Sequence, residues 1–202
     1  MVHLEKIEYK PMPVRDLLVE MKDLSELMID LAYSAALFHS HELAEEVLEL
    51  ETHVDTLAYI LKMNTMLAAR DAEDAEALVG VSMVASAADK ISDAAADIAA
   101  LAIREIHVHP IVRAAFSKVE EQLVRAEVKP NSILVGKNLG ELELAARMGV
   151  DVIAIRRKKN WIINPEGSEV VSDGDILIAR GAPHGVEELQ LVAEGSVQKL
   201  GD

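Results

Sequence analysis

The sequence predicts a two-domain α+β protein: an N-terminal antiparallel helical bundle over residues 1–122, then a small α/β unit over residues 123–202. Three observations predict it. Apolar residues recur at three-four spacing through the first half, which is the mark of amphipathic helices. Short β-branched runs between turn residues replace that pattern in the second half. Charge divides along the same line: residues 1–122 hold 10 basic against 23 acidic side chains, and residues 123–202 hold 10 against 12.

The helices follow in order. Leu17, Met21, Leu24, Met28, Leu31, Ala35 and Phe38 form one core stripe. Leu43, Val47, Leu50, Val54, Leu57 and Leu61 form a second. Val84, Ala88, Ile91, Ala95, Ile98 and Ala102 form a third. The breaks fall at "FHSHE" and "ARDAEDAE", with Asp71 as cap of the third helix. "VHP" (Val108 to Pro110) should end or kink that helix, and "IVRAAFSKVEEQL" should form a shorter one. Long helices with short connections pack antiparallel.

In the second unit "LVRAEV" reads as a strand and "KPNS" as a turn. "NLGELELAARMG" reads as a short helix capped by Asn138 and stopped by Gly149. "VDVIAIRR", "WIINP" and "ILIARG" are strands, with turns at "KKN" and "SDGD". "APHGVEELQLV" is a helix entered through proline, with a final short strand expected after it.

Composition excludes several functions. A net charge of −15 argues against nucleic acid as partner. With no cysteine, disulfides and thiolate metal sites are impossible. No stretch has the roughly 18 unbroken apolar residues of a spanning helix, so the expectation is a cytoplasmic protein with no direct membrane span. There is no P-loop, no G-x-S-x-G and no G-x-G-x-x-G, so no enzymatic activity is expected.

Two features carry chemistry. Asp89, Asp93 and Asp97 recur every four residues on the third helix, where like charges repel by a few tenths of a kcal/mol per pair. Glu51 and Asp55 form a counterpart on the second helix, and both pairs lie one position from a core stripe. Antiparallel helices would bring Glu51, Asp55, Asp89 and Asp93 together as hard oxygen ligands for a divalent metal or iron, with Glu26 and Asp30 alongside. The alternative is a solvated acidic face, because Asp16/Glu20, Glu42/Glu46 and Glu45/Glu49 repeat the same spacing. Asp97 lacks a partner pair and reads as plain surface. The second feature is "RRKK" (Arg156 to Lys159), the only concentrated basic run, suited to a phosphate-bearing ligand or an acidic surface. The seven histidines show no ligand spacing and read as surface or terminal residues.

The stretch from Asn131 to Leu189 resembles the TrkA C-terminal domain, also called RCK-C, of potassium channel and transporter regulators. Ser132, Gly136, Lys137, Leu139, Ile153, Ile155, Arg156, Arg157, Pro165, Gly174, Asp175 and Gly181 carry the match in order. "ELETHVDTL" and "DKISDAAADIA" resemble the paired E/D-x-x-x-D motifs of the PhoU family, with Asp89 where glutamate is usual. The PhoU resemblance implies a metal cluster on Glu51, Asp55, Asp89 and Asp93. The TrkA-C resemblance implies a homodimer that senses a small ligand. A cyclic dinucleotide would fall near Arg156, Arg157 and Asn164. Together they imply a non-catalytic regulatory protein linked to potassium or cation transport, acting on a membrane transporter or channel subunit. The alternative is a PhoU-type metal-binding regulator of phosphate transport or signalling.

Overall fold

Three long helices fill the N-terminal half of the computed structural model, whose described residues are 12–106, 109, 111 and 121–200. Helix α1 spans Val14–Phe38, α2 His41–Ala68 and α3 Ala72–Ile103. Each begins where the sequence supplies acceptors. The Pro13 carbonyl accepts from the amides of Asp16 and Leu17. Ser40 Oγ accepts from Leu43 N at 3.2 Å, and Asp71 Oδ1 from Asp74 N at 2.9 Å. Arg70 braces the latter cap by pairing with Asp74 at 2.7 Å.

Helix α3 stops before the proline break. Glu105 takes a left-handed conformation, and Ile106 N donates to Leu101 O at 2.9 Å, so the last carbonyls are satisfied there. Of the shorter helix expected over 111–123, residues 112–120 lie outside the described residues. Gln122 and Leu123 belong to a strand instead.

The bundle core is asymmetric. Helix α1 contributes Leu17, Met21, Leu24, Met28 and Leu31, and α2 contributes Leu43, Leu50, Leu57 and Leu61. Helix α3 buries only small side chains: Ala85, Ser92, Ala95, Ala96, Ala99 and Ala102. Its backbone therefore comes close to its neighbours, and Ser25 Oγ of α1 reaches Ala88 O of α3 at 3.3 Å. This corrects the expected third stripe. Val84 and Ile91 are 59% and 42% exposed, because the inward face selects small residues rather than large ones.

The second unit is a four-stranded antiparallel sheet in the order β1-β4-β2-β3, with β1 Gln122–Glu127, β2 Val150–Arg157, β3 Asn160–Ile163 and β4 Ile176–Gly181. Strands β2 and β3 form a hairpin in which Arg157 pairs with Asn160, and Lys158 takes a left-handed conformation in the two-residue turn. The register of β2 against β4 shifts between Val152 and Ala154. The helix expected from "NLGELELAARMG" divides into α4 (Leu139–Leu142) and α5 (Leu144–Met148), because Glu143 is left-handed. Asn138 Oδ1 caps α4 by accepting from Glu141 N at 2.8 Å. Helix α6 (Pro183–Ala193) packs on β1. Gly185 is required there, since a Cβ would strike Met148 O. Residues 194–200 form turns and irregular chain, so the last expected strand is absent among the described residues.

The chain divides into two compact units, Met1–His107 and Val108–Asp202. Among the described residues no helix is long and apolar enough to cross a membrane.

Candidate functional site

The acidic face forms as the spacing predicts, through the antiparallel course of α2 and α3. Burial raises the Glu51 carboxyl above its ordinary range first, and the charges of Asp55, Asp93 and Asp97 add to it. Burial also raises the Asp55 carboxyl, the charges of Asp89 and Asp93 add to it, and Lys62 opposes. Asp97 is exposed, as its reading as surface expects, and its charge reaches Glu51 from there. Glu26 instead pairs with Lys22 at 3.2 Å. His53 crosses from α2 to Glu20 of α1 at 2.9 Å.

Shared repulsion is not coordination. Among the described residues, no group of three or more histidine or acidic side chains converges closely enough to hold a metal ion. Lys62 Nζ already lies 3.9 Å from Asp89 Oδ2 and supplies positive charge on that side. The set Glu51, Asp55, Asp89 and Asp93 therefore shares a face but does not fit a metal cluster in this conformation.

A pH dependence follows. Carboxyls raised in the fold bind protons more tightly folded than unfolded. Their stabilising contribution is present below the ordinary carboxylate range and is lost as pH rises through the raised values. Thermal unfolding should show the bundle gaining stability as pH falls from 7 toward about 5. Glu51→Gln should raise stability at pH 7 by a few tenths of a kcal/mol and flatten that dependence. A variant with the unchanged pH profile would contradict this account.

The basic run of the second unit splits. Arg156 and Arg157 are successive strand residues, so their side chains leave opposite faces of the sheet. The Arg157 guanidinium is committed to partners of its own chain, although a third of the side chain stays exposed. Its Nε and Nη2 donate to the two oxygens of Asp175 at 2.9 and 2.8 Å. Its Nη1 donates to Glu169 at 2.9 Å, and Nη2 also to Val170 O at 2.7 Å. Asp175 and Glu169 hold it charged, above its ordinary value against a smaller opposing effect of burial. Asp175 is only 1% exposed and also accepts from Ser172 N at 2.8 Å. Arg157 is therefore a structural clamp on the 169–175 segment, and the expected ligand set is corrected to that extent. Asn164 stands at the end of β3 in a left-handed conformation, its N–H donating to Ile153 O at 2.9 Å. Neither of the two hollows described next is lined by Arg156, Arg157 or Asn164.

Two hollows have no counterpart in the sequence reading. One, of about 510 Å³, is bordered by Lys137, Arg147, Lys199, Glu141 and Glu143 in the second unit. The other, of about 760 Å³, is an open apolar groove between α2 and α3 with Met66, Val79 and Met83 inside and Lys62 and Lys90 at its rim. Both depend on residues distant in sequence, so no local motif announces them.

The comparisons agree with the two-part reading. The TrkA-C domain model matches residues 123–192, and the PhoU domain model matches residues 18–102. The Ktr system potassium uptake protein C of Bacillus subtilis (strain 168) is 34% identical over 67 residues, which are 33% of this chain and 30% of that protein. The chain thus spans under a third of that relative's length. Among solved structures, the RCK_C domain dimer of S. agalactiae BusR in complex with c-di-AMP is 22% identical with a TM-score of 0.34, covering 36% of this chain and 90% of that one. The RCK C domain of the potassium transport protein KtrA, also in complex with c-di-AMP, is 25% identical with a TM-score of 0.34, covering 40% and 93%. Residues 18–102 of this chain are a PhoU domain, and residues 123–192 are a TrkA-C domain.

Proposed function

We propose that this chain is a non-catalytic, cytoplasmic regulator of potassium transport that works as a homodimer on a membrane transporter or channel subunit. The observation that carries this reading is the TrkA-C match over 123–192, and the 34% identity over 67 residues to the Ktr system potassium uptake protein C supports it. A small ligand is sensed by the TrkA-C unit and changes the protein only through its different affinity for two states. A cyclic dinucleotide such as cyclic di-AMP is the first ligand to test. Arg156 and Asn164 remain its proposed contacts, with Arg157 holding the fold beneath them.

The test is potassium uptake in cells lacking the gene, under limiting and excess potassium. A change in uptake that the intact gene restores is expected. Unchanged uptake and growth in both conditions would end this reading. Melting with cyclic di-AMP tests the ligand separately. A ligand at about 100 times its Kd adds about 2.7 kcal/mol to the folded form. A flat melting temperature across millimolar cyclic di-AMP would remove this ligand and leave the transport reading standing.

The PhoU domain supports a second reading, regulation of phosphate transport or signalling. Phosphate uptake in the same cells separates the two: a change in phosphate uptake with potassium uptake intact favours the second.

A further inference from the structure

The apolar groove between α2 and α3 stands within a strongly acidic surface. Met66, Val79 and Met83 line it and are 77%, 54% and 68% exposed. Large apolar side chains left to water along one groove mark a contact surface. The groove follows α3 from Ala75 to Lys90, about 22 Å of helix. Its two methionines are unbranched and polarizable, so they fit partner side chains of varied shape.

The charges around the groove come from the same two helices. Residues seven apart on a helix share a face. Glu76 stands seven before Met83, and Asp89 and Asp93 stand seven after Ser82 and Ser86 of the lining. On α2, Asp55 stands seven before Lys62. Carboxylates therefore continue the groove's face at both of its ends. The charges of Asp89 and Asp93 add to the burial that raises the Asp55 carboxyl, and a cation from outside relieves that repulsion. Two rim lysines oppose this field. Lys62 is already drawn toward Asp89 at 3.9 Å, and Lys90 is exposed on the lip. From Asp55 to Asp93 the chain holds seven acidic side chains against three basic ones, so the negative sign prevails.

We infer that this groove receives an amphipathic helix whose apolar stripe is flanked by lysine or arginine. An amphipathic helix lays its apolar face into such a groove through anchors one turn apart. The groove is about four turns long, which accommodates several of them. The acidic surroundings select the sign of the flanking charges and speed the encounter. A second copy of the chain is a poor occupant, because residues 1–122 carry 23 acidic side chains against 10 basic ones and would meet their like. Membrane proteins carry an excess of lysine and arginine beside the cytoplasmic ends of their spanning helices. The partner chemistry thus agrees with the transport reading without resting on it.

The probe is a labelled peptide of about 15 residues, roughly four helical turns, with leucine on one face and lysine on the other. It is titrated with the full-length chain and followed by fluorescence anisotropy. Saturable binding is expected, weakened by salt. Glutamate in place of each peptide lysine should weaken it about tenfold or more. Met66→Glu together with Met83→Glu should also weaken it about tenfold, although both changes make the groove more acidic. Plain attraction to an acidic protein would instead hold or tighten. Met66→Ser with Met83→Ser, which adds no charge, should weaken binding in the same direction. Both methionines are exposed, so helical content and melting should stay unchanged. Absence of saturable binding would overturn the inference. So would equal binding of the glutamate peptide, or of a peptide of the same composition with its leucines scattered. Unchanged or tighter binding by the methionine variants would overturn it too. A dimer that becomes monomeric on these substitutions covers the groove with a second copy, which also overturns it. None of these outcomes bears on potassium uptake, so this inference and the transport reading fail separately.

Discussion

Replacing Arg157 by methionine should lower the stability of the TrkA-C unit by about 2–4 kcal/mol, which for a unit of this size is roughly 10–25 °C in the unfolding midpoint. The cost comes from what is left behind. Asp175 is 1% exposed, and its two oxygens meet the guanidinium fork at 2.8 and 2.9 Å. Without Arg157 it keeps only the Ser172 amide, and a buried carboxylate so stranded is expensive. Glu169 and Val170 O lose the same partner, so the 169–175 segment loses its tie to β2. The figure lies below that of a fully buried pair because the arginine side chain is one-third exposed. Arg157→Lys should fall between, keeping the charge but losing the planar fork. Chemical denaturation monitored by the single tryptophan, Trp161 in the adjoining hairpin, reads this out. A shift within 0.5 kcal/mol for Arg157→Met would show that the network contributes nothing. The consequence for function is direct: loss of ligand binding in an Arg157 variant would report unfolding, and only Arg156 and Asn164 variants would report contact.

The sequence made the elements legible because each is written locally. Ser40, Asp71 and Asn138 stand at helix starts and cap them as their types predict. The hairpin is announced by two β-branched runs around "KK". What failed depends on information that is not local. Spacing shows that α3 is amphipathic, but α3 has apolar residues on two faces. The reading took the larger side chains, Val84 and Ile91, as the core. Packing chose the alanines, because α1 and α2 already fill the centre with leucine and methionine. Arg157 shows the same limit. In the sequence it is one of four adjacent cations, and its distinction comes from Asp175, eighteen residues away. The acidic stripes were placed correctly on α2 and α3, yet whether carboxylates converge on an ion depends on distances that spacing does not contain.

The rotation of α3 carries the second large prediction. Ala99→Leu should destabilise the bundle by about 1–3 kcal/mol or more, while Val79→Ala on the same helix should change it by less than about 0.5 kcal/mol. Ala99 is 0% exposed and faces α1 and α2. Three added carbons there have no void to enter, so either the leucine leaves its preferred rotamer or α3 moves outward. An outward shift would also pull Ala88 O from Ser25 Oγ, a contact already at 3.3 Å. Val79, at 54% exposure, has little apolar area to lose. The stripe expected from the sequence runs through Val84, Ile91 and Ile98 and omits Ala99, so it predicts a smaller cost for Ala99→Leu. Measuring both variants by thermal unfolding at one protein concentration decides between the two faces. If Ala99→Leu cost less than about 0.5 kcal/mol, the α3 orientation described above would be wrong. Val84, Ile91 and Ile98 would then belong to the bundle core.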